Sequence, residues 1–133
     1  MTSASIFFDA ENNVFHLKND QISYLFQVEM GDILSHLYFG RQIATYHDQR
    51  RYPRIDRGFS PNLAGDPGQV DRGYSKDTLR QEFSGFDTGD FRQPAVVIRA
   101  ENGAQATDFR YVDYEIQAGK PNLTDLPQAY VLA

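Results

Sequence analysis

Between Ile22 and Val28 the chain alternates: Ile22, Tyr24, Phe26 and Val28 fall on one face, Ser23, Gln27 and Glu29 on the other. A repeat of two belongs to an extended strand, whose successive side chains point to opposite sides. Short runs of the same kind lie on both sides of it. Ile6 to Phe8 ends in the turn-rich Asp9-Ala10-Glu11-Asn12-Asn13, and Val14-Phe15-His16-Leu17-Lys18 puts Phe15 and Leu17 on one face before Asn19-Asp20 turns the chain. Met30-Gly31-Asp32 interrupts the pattern and Ile33 to Phe39 resumes it, which predicts a hairpin. Gly40-Arg41 closes the series. No segment carries the three-to-four spacing of an amphipathic helix, and no internal repeat is visible.

From Tyr46 to Tyr74 neither period survives. This stretch holds Pro53, Gly58, Pro61, Gly65, Pro67, Gly68 and Gly73, with a basic knot at Arg50, Arg51, Arg54 and Arg57. Irregular loops of such length in compact domains are mostly functional or disordered. Order returns near Thr78 to Phe83. Val96 to Ala100 reads as a β-branched strand, Asn102-Gly103 as a hairpin turn, and Thr107 to Ile116 as the return strand, stopped by Gly119-Lys120-Pro121. The expected fold is all-β, an antiparallel β-sandwich with little or no helix.

The chain has 133 residues, which fits one domain or a large part of one. The closing Leu126 to Ala133 resembles the entry to a further strand, so a fragment of a longer protein is expected. Net charge is −5, which argues against a phosphate-backbone partner such as nucleic acid. With no cysteine, disulfides, thiolate metal sites and cysteine nucleophiles are excluded, and a reducing cytoplasm is the expected location. The N-terminus shows no basic, apolar leader, and no apolar run approaches the roughly 20 residues that span a bilayer.

The acidic residues Asp87, Asp90, Asp108, Asp113 and Glu115 are the candidates for paired-carboxylate chemistry. Asp in Gly-rich turns serves more often to accept local backbone N–H groups, and the Asp87–Asp90 spacing does not match a calcium loop. His16, His36 and His47 are too scattered to form a metal site, and His16 and His36 are expected opposite the apolar strand face. There is no Gly-x-Ser-x-Gly elbow and no phosphate cradle. The Arg50–Arg57 knot could hold a hydroxyl-rich or anionic ligand through guanidinium forks, or face solvent or a subunit contact.

One block is more specific. Asp77-Thr78-Leu79-Arg80-Gln81-Glu82-Phe83 followed by Gly85-Phe86-Asp87-Thr88-Gly89-Asp90-Phe91-Arg92-Gln93-Pro94-Ala95 resembles a segment near the start of glycoside hydrolase family 36 α-galactosidases. Phe15-His16-Leu17, Ile22-Ser23-Tyr24, His36 to Gly40, Asp108 to Tyr111, Gly119-Lys120-Pro121 and Leu126-Pro127 agree in the same order. Phe83-Ser84 replaces the usual Tyr-Pro, and Phe86-Asp87 the usual Gly-Thr; both changes fall in a turn.

The resemblance implies an N-terminal β-supersandwich, a (β/α)8 barrel and a C-terminal β-domain. It implies hydrolysis of terminal α-galactosides such as melibiose and raffinose, with retention, by two barrel aspartates. The barrel is absent from this sequence, so no catalytic residue carries over, and no cofactor or metal is expected. Residues 1–133 would form a single, incomplete N-terminal domain, inactive alone. Similar bacterial enzymes are expected to form homotetramers in which a loop of this domain lines a neighbour's active site. The loop from Tyr46 to Tyr74 is the candidate, with Arg51, Tyr52, Asp56 and Arg57 nearest the substrate. Tyr offers a flat face to a sugar ring, while Arg and Asp bond paired hydroxyls. The alternatives are a free-standing carbohydrate-binding β-sandwich module and a purely structural assembly domain.

Overall fold

The computed structural model describes residues 4–46, 62–69, 71–119 and 127. Four strands form one antiparallel sheet in chain order: β1 (Ser5–Asp9), β2 (Val14–Lys18), β3 (Ile22–Glu29) and β4 (Ile33–Arg41). Each turn has a local chemical cause. Asp9 Oδ1 accepts the N–H groups of Glu11 and Asn12 at 3.0 and 3.2 Å, which closes the β1–β2 turn. Asn19 Oδ1 accepts those of Gln21 and Ile22, both at 2.8 Å, and closes the next. The β3–β4 turn needs two left-handed residues, Gly31 at φ 84° and Asp32 at φ 59°. A methyl group on Gly31 would also press on Tyr74 and Pro67.

The alternation expected for β3 is present, but the more deeply buried face is the other one. Ser23 and Leu25 are fully buried and Gln27 nearly so, whereas Tyr24, Phe26 and Val28 are half-buried and Ile22 is exposed. Leu25 decides this, because it packs with Val14 and Leu37 in a core cluster that Tyr38, Ile43 and Tyr46 cover. A bulge assists. Leu25 faces Tyr38 while Phe26 faces His36, so Leu37 is an extra residue on β4. Leu37 and Tyr38, adjacent in sequence, therefore both reach the same cluster.

Of the polar groups on that face, Ser23 and His16 have partners, whereas the buried Ser35 Oγ has none among the described residues. Ser23 Oγ lies 2.9 Å from His16 Nε2 and accepts the Ile43 N–H at 3.0 Å. On the opposite face the rings of Phe8, Phe15 and Phe26 line up across β1–β3, and Tyr111 and Tyr114 pack onto Phe15, with Tyr114 also on Phe8.

Beyond β4 the chain pairs sparingly. Gln81 forms an isolated bridge with Ser35, and the bonds His36 N–H to Arg80 O at 2.7 Å and Glu82 N–H to Leu34 O at 2.9 Å extend the sheet by one rung. The Asn102-Gly103 turn is present, with Gly103 at φ 84° and the Ala100 N–H bonded to Ala104 O at 2.9 Å. The strands expected on its flanks are not. Among the described residues 96–100 and 107–116 enter no ladder, and apolar Val112 is 86% exposed. This segment is held by side chains and single bonds instead, such as the Tyr111 N–H to Asp32 O at 2.7 Å. The architecture is all-β and antiparallel, with one 3-10 turn (Pro67–Gln69) and no α-helix among the described residues.

Candidate functional site

The last part of the long loop returns to the sheet through residues 62–76, and charged groups fix it there. Lys76 is 1% exposed, an unusual place for an ammonium group. Its Nζ lies 2.7 Å from Asp108 Oδ1 and 3.8 Å from Asp66 Oδ2. Arg110 completes the ring of charges. Its Nη2 reaches Asp66 Oδ1 at 2.7 Å and Asp108 Oδ2 at 2.8 Å, and its Nη1 donates to the Gly31 carbonyl at 2.6 Å. Two cations face two carboxylates, so the cluster is neutral as a whole, with Lys76 and Asp66 buried and Arg110 and Asp108 half-buried at its rim. Asp66 Oδ2 also accepts the Leu63 N–H at 3.1 Å, and Asn62 Nδ2 donates to the Tyr74 carbonyl at 2.7 Å. Tyr74 is fully buried with Ile33 and Leu79 in a second core cluster. Burial and the nearby Asp66 push its phenol up to about 12.

A second charged knot joins the family-like block to this one. Buried Asp90 receives Arg92 Nε at 2.8 Å, Arg92 Nη2 at 2.6 Å and Gln81 Nε2 at 2.8 Å. The same Arg92 Nη2 donates to the Leu79 carbonyl at 2.7 Å. On the other sheet face, Glu82 accepts from the Tyr24 hydroxyl and lies 2.7 Å from His36 Nδ1.

These contacts decide what the acids can do. Burial alone raises the Asp90 carboxyl, but the hydrogen bonds and charge of Arg92, with the Gln81 amide, outweigh it and leave it below the usual range. Burial likewise opposes Arg110 and Lys76 at Asp108, and again the cations win. A general acid for glycoside cleavage needs the opposite shift. Asp90 does form a turn, accepting the Arg92 N–H at 3.1 Å, and it is an ion-pair anchor as well. Asp87 sits exposed at φ 58°. Among the described residues no group of three His, Asp or Glu could hold a metal ion, and no helix is long and apolar enough to cross a membrane.

The histidines differ from expectation. His16, expected among surface or strand-face residues, is 8% exposed and bonded to Ser23. Burial, and then Lys18, lower its pKa. His36 shares a face with Tyr24 and Phe26 instead of opposing them, since it sits across from Phe26 in the register. His47 and all four predicted loop residues, Arg51, Tyr52, Asp56 and Arg57, lie outside the described residues. Sequence reasoning did not single out Lys76 or Asp66. The one available signal was Arg110, which stands in a family-like stretch beside Asp108.

A profile of the glycosyl hydrolase family 36 N-terminal domain matches residues 32–132. The chain belongs to glycoside hydrolase family 36. It is 50% identical over 123 residues to alpha-galactosidase 1 of Pediococcus pentosaceus, covering 92% of this chain and 16% of that one. It is 48% identical over 130 residues to alpha-galactosidase Mel36A of Lactobacillus acidophilus, covering 98% and 17%. A crystal structure of a variant of the family 36 α-galactosidase AgaA from Geobacillus stearothermophilus, in complex with raffinose, superposes with a TM-score of 0.73 at 42% identity, covering 90% of this chain and 16% of that one. The chain therefore spans about a sixth of the length of the curated relatives it matches. Within the family 36 profile match lie both charged knots: Asp66, Lys76, Asp108 and Arg110, and Gln81, Asp90 and Arg92.

Proposed function

We propose that this chain is the non-catalytic N-terminal part of an α-galactosidase-like retaining glycoside hydrolase that removes terminal α-galactosyl groups from sugars such as melibiose and raffinose. The observation that carries the reading is the family 36 N-terminal match over residues 32–132 in a chain spanning about a sixth of its α-galactosidase relatives. The state of the described carboxylates supports it. Asp66, Asp90 and Asp108 are held in ion pairs with Lys76, Arg92 and Arg110, and the lowered pKa of Asp90 and Asp108 is the reverse of what a general acid needs.

On this reading residues 1–133 are a single, incomplete domain of a cytoplasmic homotetramer. The loop between Tyr46 and Tyr74 then lines the active site of a neighbouring subunit through Arg51, Tyr52, Asp56 and Arg57. Its support is mechanical. The loop leaves from Tyr46, which packs on the first core cluster, and returns through Asp66, Tyr74 and Lys76, which are buried. Fixed ends limit where the residues between them can reach, which is how a scaffold positions a functional loop. The first test is direct. The purified chain is expected to release no galactose from an aryl α-galactoside above the buffer rate. Turnover that follows the protein peak through repurification would overturn the reading.

A further inference from the structure

We propose that the cross-strand row Ile6, Leu17, Tyr24 and Phe39 is the docking face for a further β-strand, which the parent polypeptide contributes from outside residues 1–133 and which pairs with the 107–116 segment. The proposal rests on the reading that this chain is one part of a longer enzyme.

The sheet face opposite Leu25 carries two rows. One runs Phe8, Phe15, Phe26, His36 and the other Ile6, Leu17, Tyr24, Phe39, each member directly across from the next in the register. The rows differ in what lies on them. Tyr114 packs on Phe8 and Phe15, with ring centres 4.6 and 5.0 Å away, and Tyr111 packs on Phe15, so the 107–116 segment covers the β1–β2 end of the first row. The second row is open. Phe39 is 65% exposed, Ile6 42% and the neighbouring Ile22 43%. A groove of about 350 Å³ follows the row from Ile6 to Phe39. The one hydroxyl on this row is already used, because Tyr24 donates to Glu82. An apolar layer can therefore cover the ring without leaving that hydroxyl unpaired.

The covering segment has open edges of its own. Among the described residues 107–116 enters no ladder. An extended segment with unpaired backbone groups is a template for a neighbouring strand. Ile6 and Leu17 border both the open groove and the cleft beneath Tyr111, Tyr114 and Ile116, so the open row lies beside this segment. A strand added on that side gains backbone bonds to 107–116 at its edge and apolar contacts from the row beneath it. Every second residue of that strand is expected to be apolar.

The size of the row selects the occupant. Four side chains and Ile22 fall far short of the roughly 20–30 residues a side in a stable interface between separate proteins. A strand of the same polypeptide docks without losing the translational and rotational freedom that a separate partner loses. The relatives supply such polypeptide, since this chain spans 16–17% of their length.

The sequence has no cysteine. Ile22→Cys and Phe39→Cys therefore each place a new thiol on the open row, and Ser23→Cys places one on the buried opposite face. Maleimide labelling, located by peptide mass spectrometry, is followed in this chain and in the full-length enzyme. Positions 22 and 39 should label readily in the short chain and about tenfold or more slowly in the full-length enzyme, while position 23 stays protected in both. Hydrogen exchange across 107–116 should slow in the full-length enzyme as well. The full-length enzyme decides the matter even where a short variant fails to fold. Readily labelled thiols at 22 and 39 there, or fast exchange across 107–116, would overturn the proposal. So would slow labelling already in the short chain, which would give the cover to residues 1–133 or to a second copy. Protection that is lost when subunits are diluted apart would assign the row to a neighbouring subunit and overturn it too. Hydrolysis of an aryl α-galactoside by the unaltered full-length enzyme, measured in parallel, separates the two readings. An inactive enzyme with a covered row would sink the assigned activity and leave the docking face in place.

Discussion

The β1–β4 meander and the segment from Asn62 to Ile116 are stabilised by different forces. The meander rests on continuous backbone ladders and an apolar cluster of Val14, Leu25 and Leu37. The later segment has one bridge to β4 and, among the described residues, no ladder of its own. Beside the small Ile33–Tyr74–Leu79 cluster, its order comes from charge pairs with one or both partners buried or half-buried: Lys76 and Arg110 with Asp66 and Asp108, and Arg92 with Asp90. Hydrophobic burial is non-directional and tolerates small shifts. A buried ion pair depends on geometry, and losing one partner leaves the other uncompensated. The first region should therefore fail gradually when altered, and the second abruptly.

The largest effect is expected at Lys76. Lys76→Ala leaves buried Asp66 and half-buried Asp108 with Arg110 as their one cation and should cost about 3–5 kcal/mol in urea unfolding. Hydrogen exchange should show protection lost first in residues 62–76 and 107–111, with β2 and β3 still protected. Uniform loss would mean that the two regions are one cooperative unit. Leu25→Ala should cost about 3 kcal/mol through the cavity it leaves in the Val14–Leu37 cluster. Here β1–β4 should lose protection first, and the reverse order would contradict the contrast.

A smaller effect belongs to the turns. Asn19→Ala removes the acceptor for two N–H groups and should cost about 1 kcal/mol, read as a shift in the urea midpoint with an unchanged slope. The smallest concerns pH. The folded His16 has a pKa below 6.5, so as pH falls through 6.5 the unfolded chain takes up a proton that the folded chain refuses. Stability should drop with falling pH from that point, and His16→Asn should flatten the slope between about pH 5 and 7. Asp90 and Asp108 act in the same direction at lower pH. Their folded pKa values lie below 3.8, so their contribution is present above that value and lost as pH falls through the folded pKa. An unchanged slope in the His16 variant would remove the histidine from this account.

The same contrast explains what could be read in advance. Alternation around Tyr24 and Phe26, and the turns at Asn19 and Gly31, were legible because strand period and turn chemistry are local. Which face is buried was not, since it depends on Leu25 meeting Val14 and Leu37 from other strands, and on a bulge without a sequence signature. Ser23 and His16 look polar and therefore outward, but each satisfies the other inside. Lys76 is the clearest miss. A lone lysine in an irregular stretch reads as solvated, and its partner Asp108 lies 32 positions later. The turn at Asn102-Gly103 was legible too, but strands on its flanks need neighbours that its own pattern cannot specify. The family block was recognisable as text before its chemistry was visible. In the fold, Gln81, Asp90 and Arg92 of that block form one hydrogen-bonded knot.

The central claim is that this domain supports catalysis elsewhere by presenting its loop, and kinetics on the full-length enzyme test it most directly. Arg57→Ala and Asp56→Ala should lower kcat/KM on raffinose by about 1–3 kcal/mol of transition-state binding, and less on a small aryl α-galactoside that makes fewer leaving-group contacts. Melting should stay within about 0.5 kcal/mol of the unaltered enzyme, as for other loop substitutions. Equal losses on both substrates, with a large fall in melting temperature, would contradict the claim and leave the loop a structural role alone.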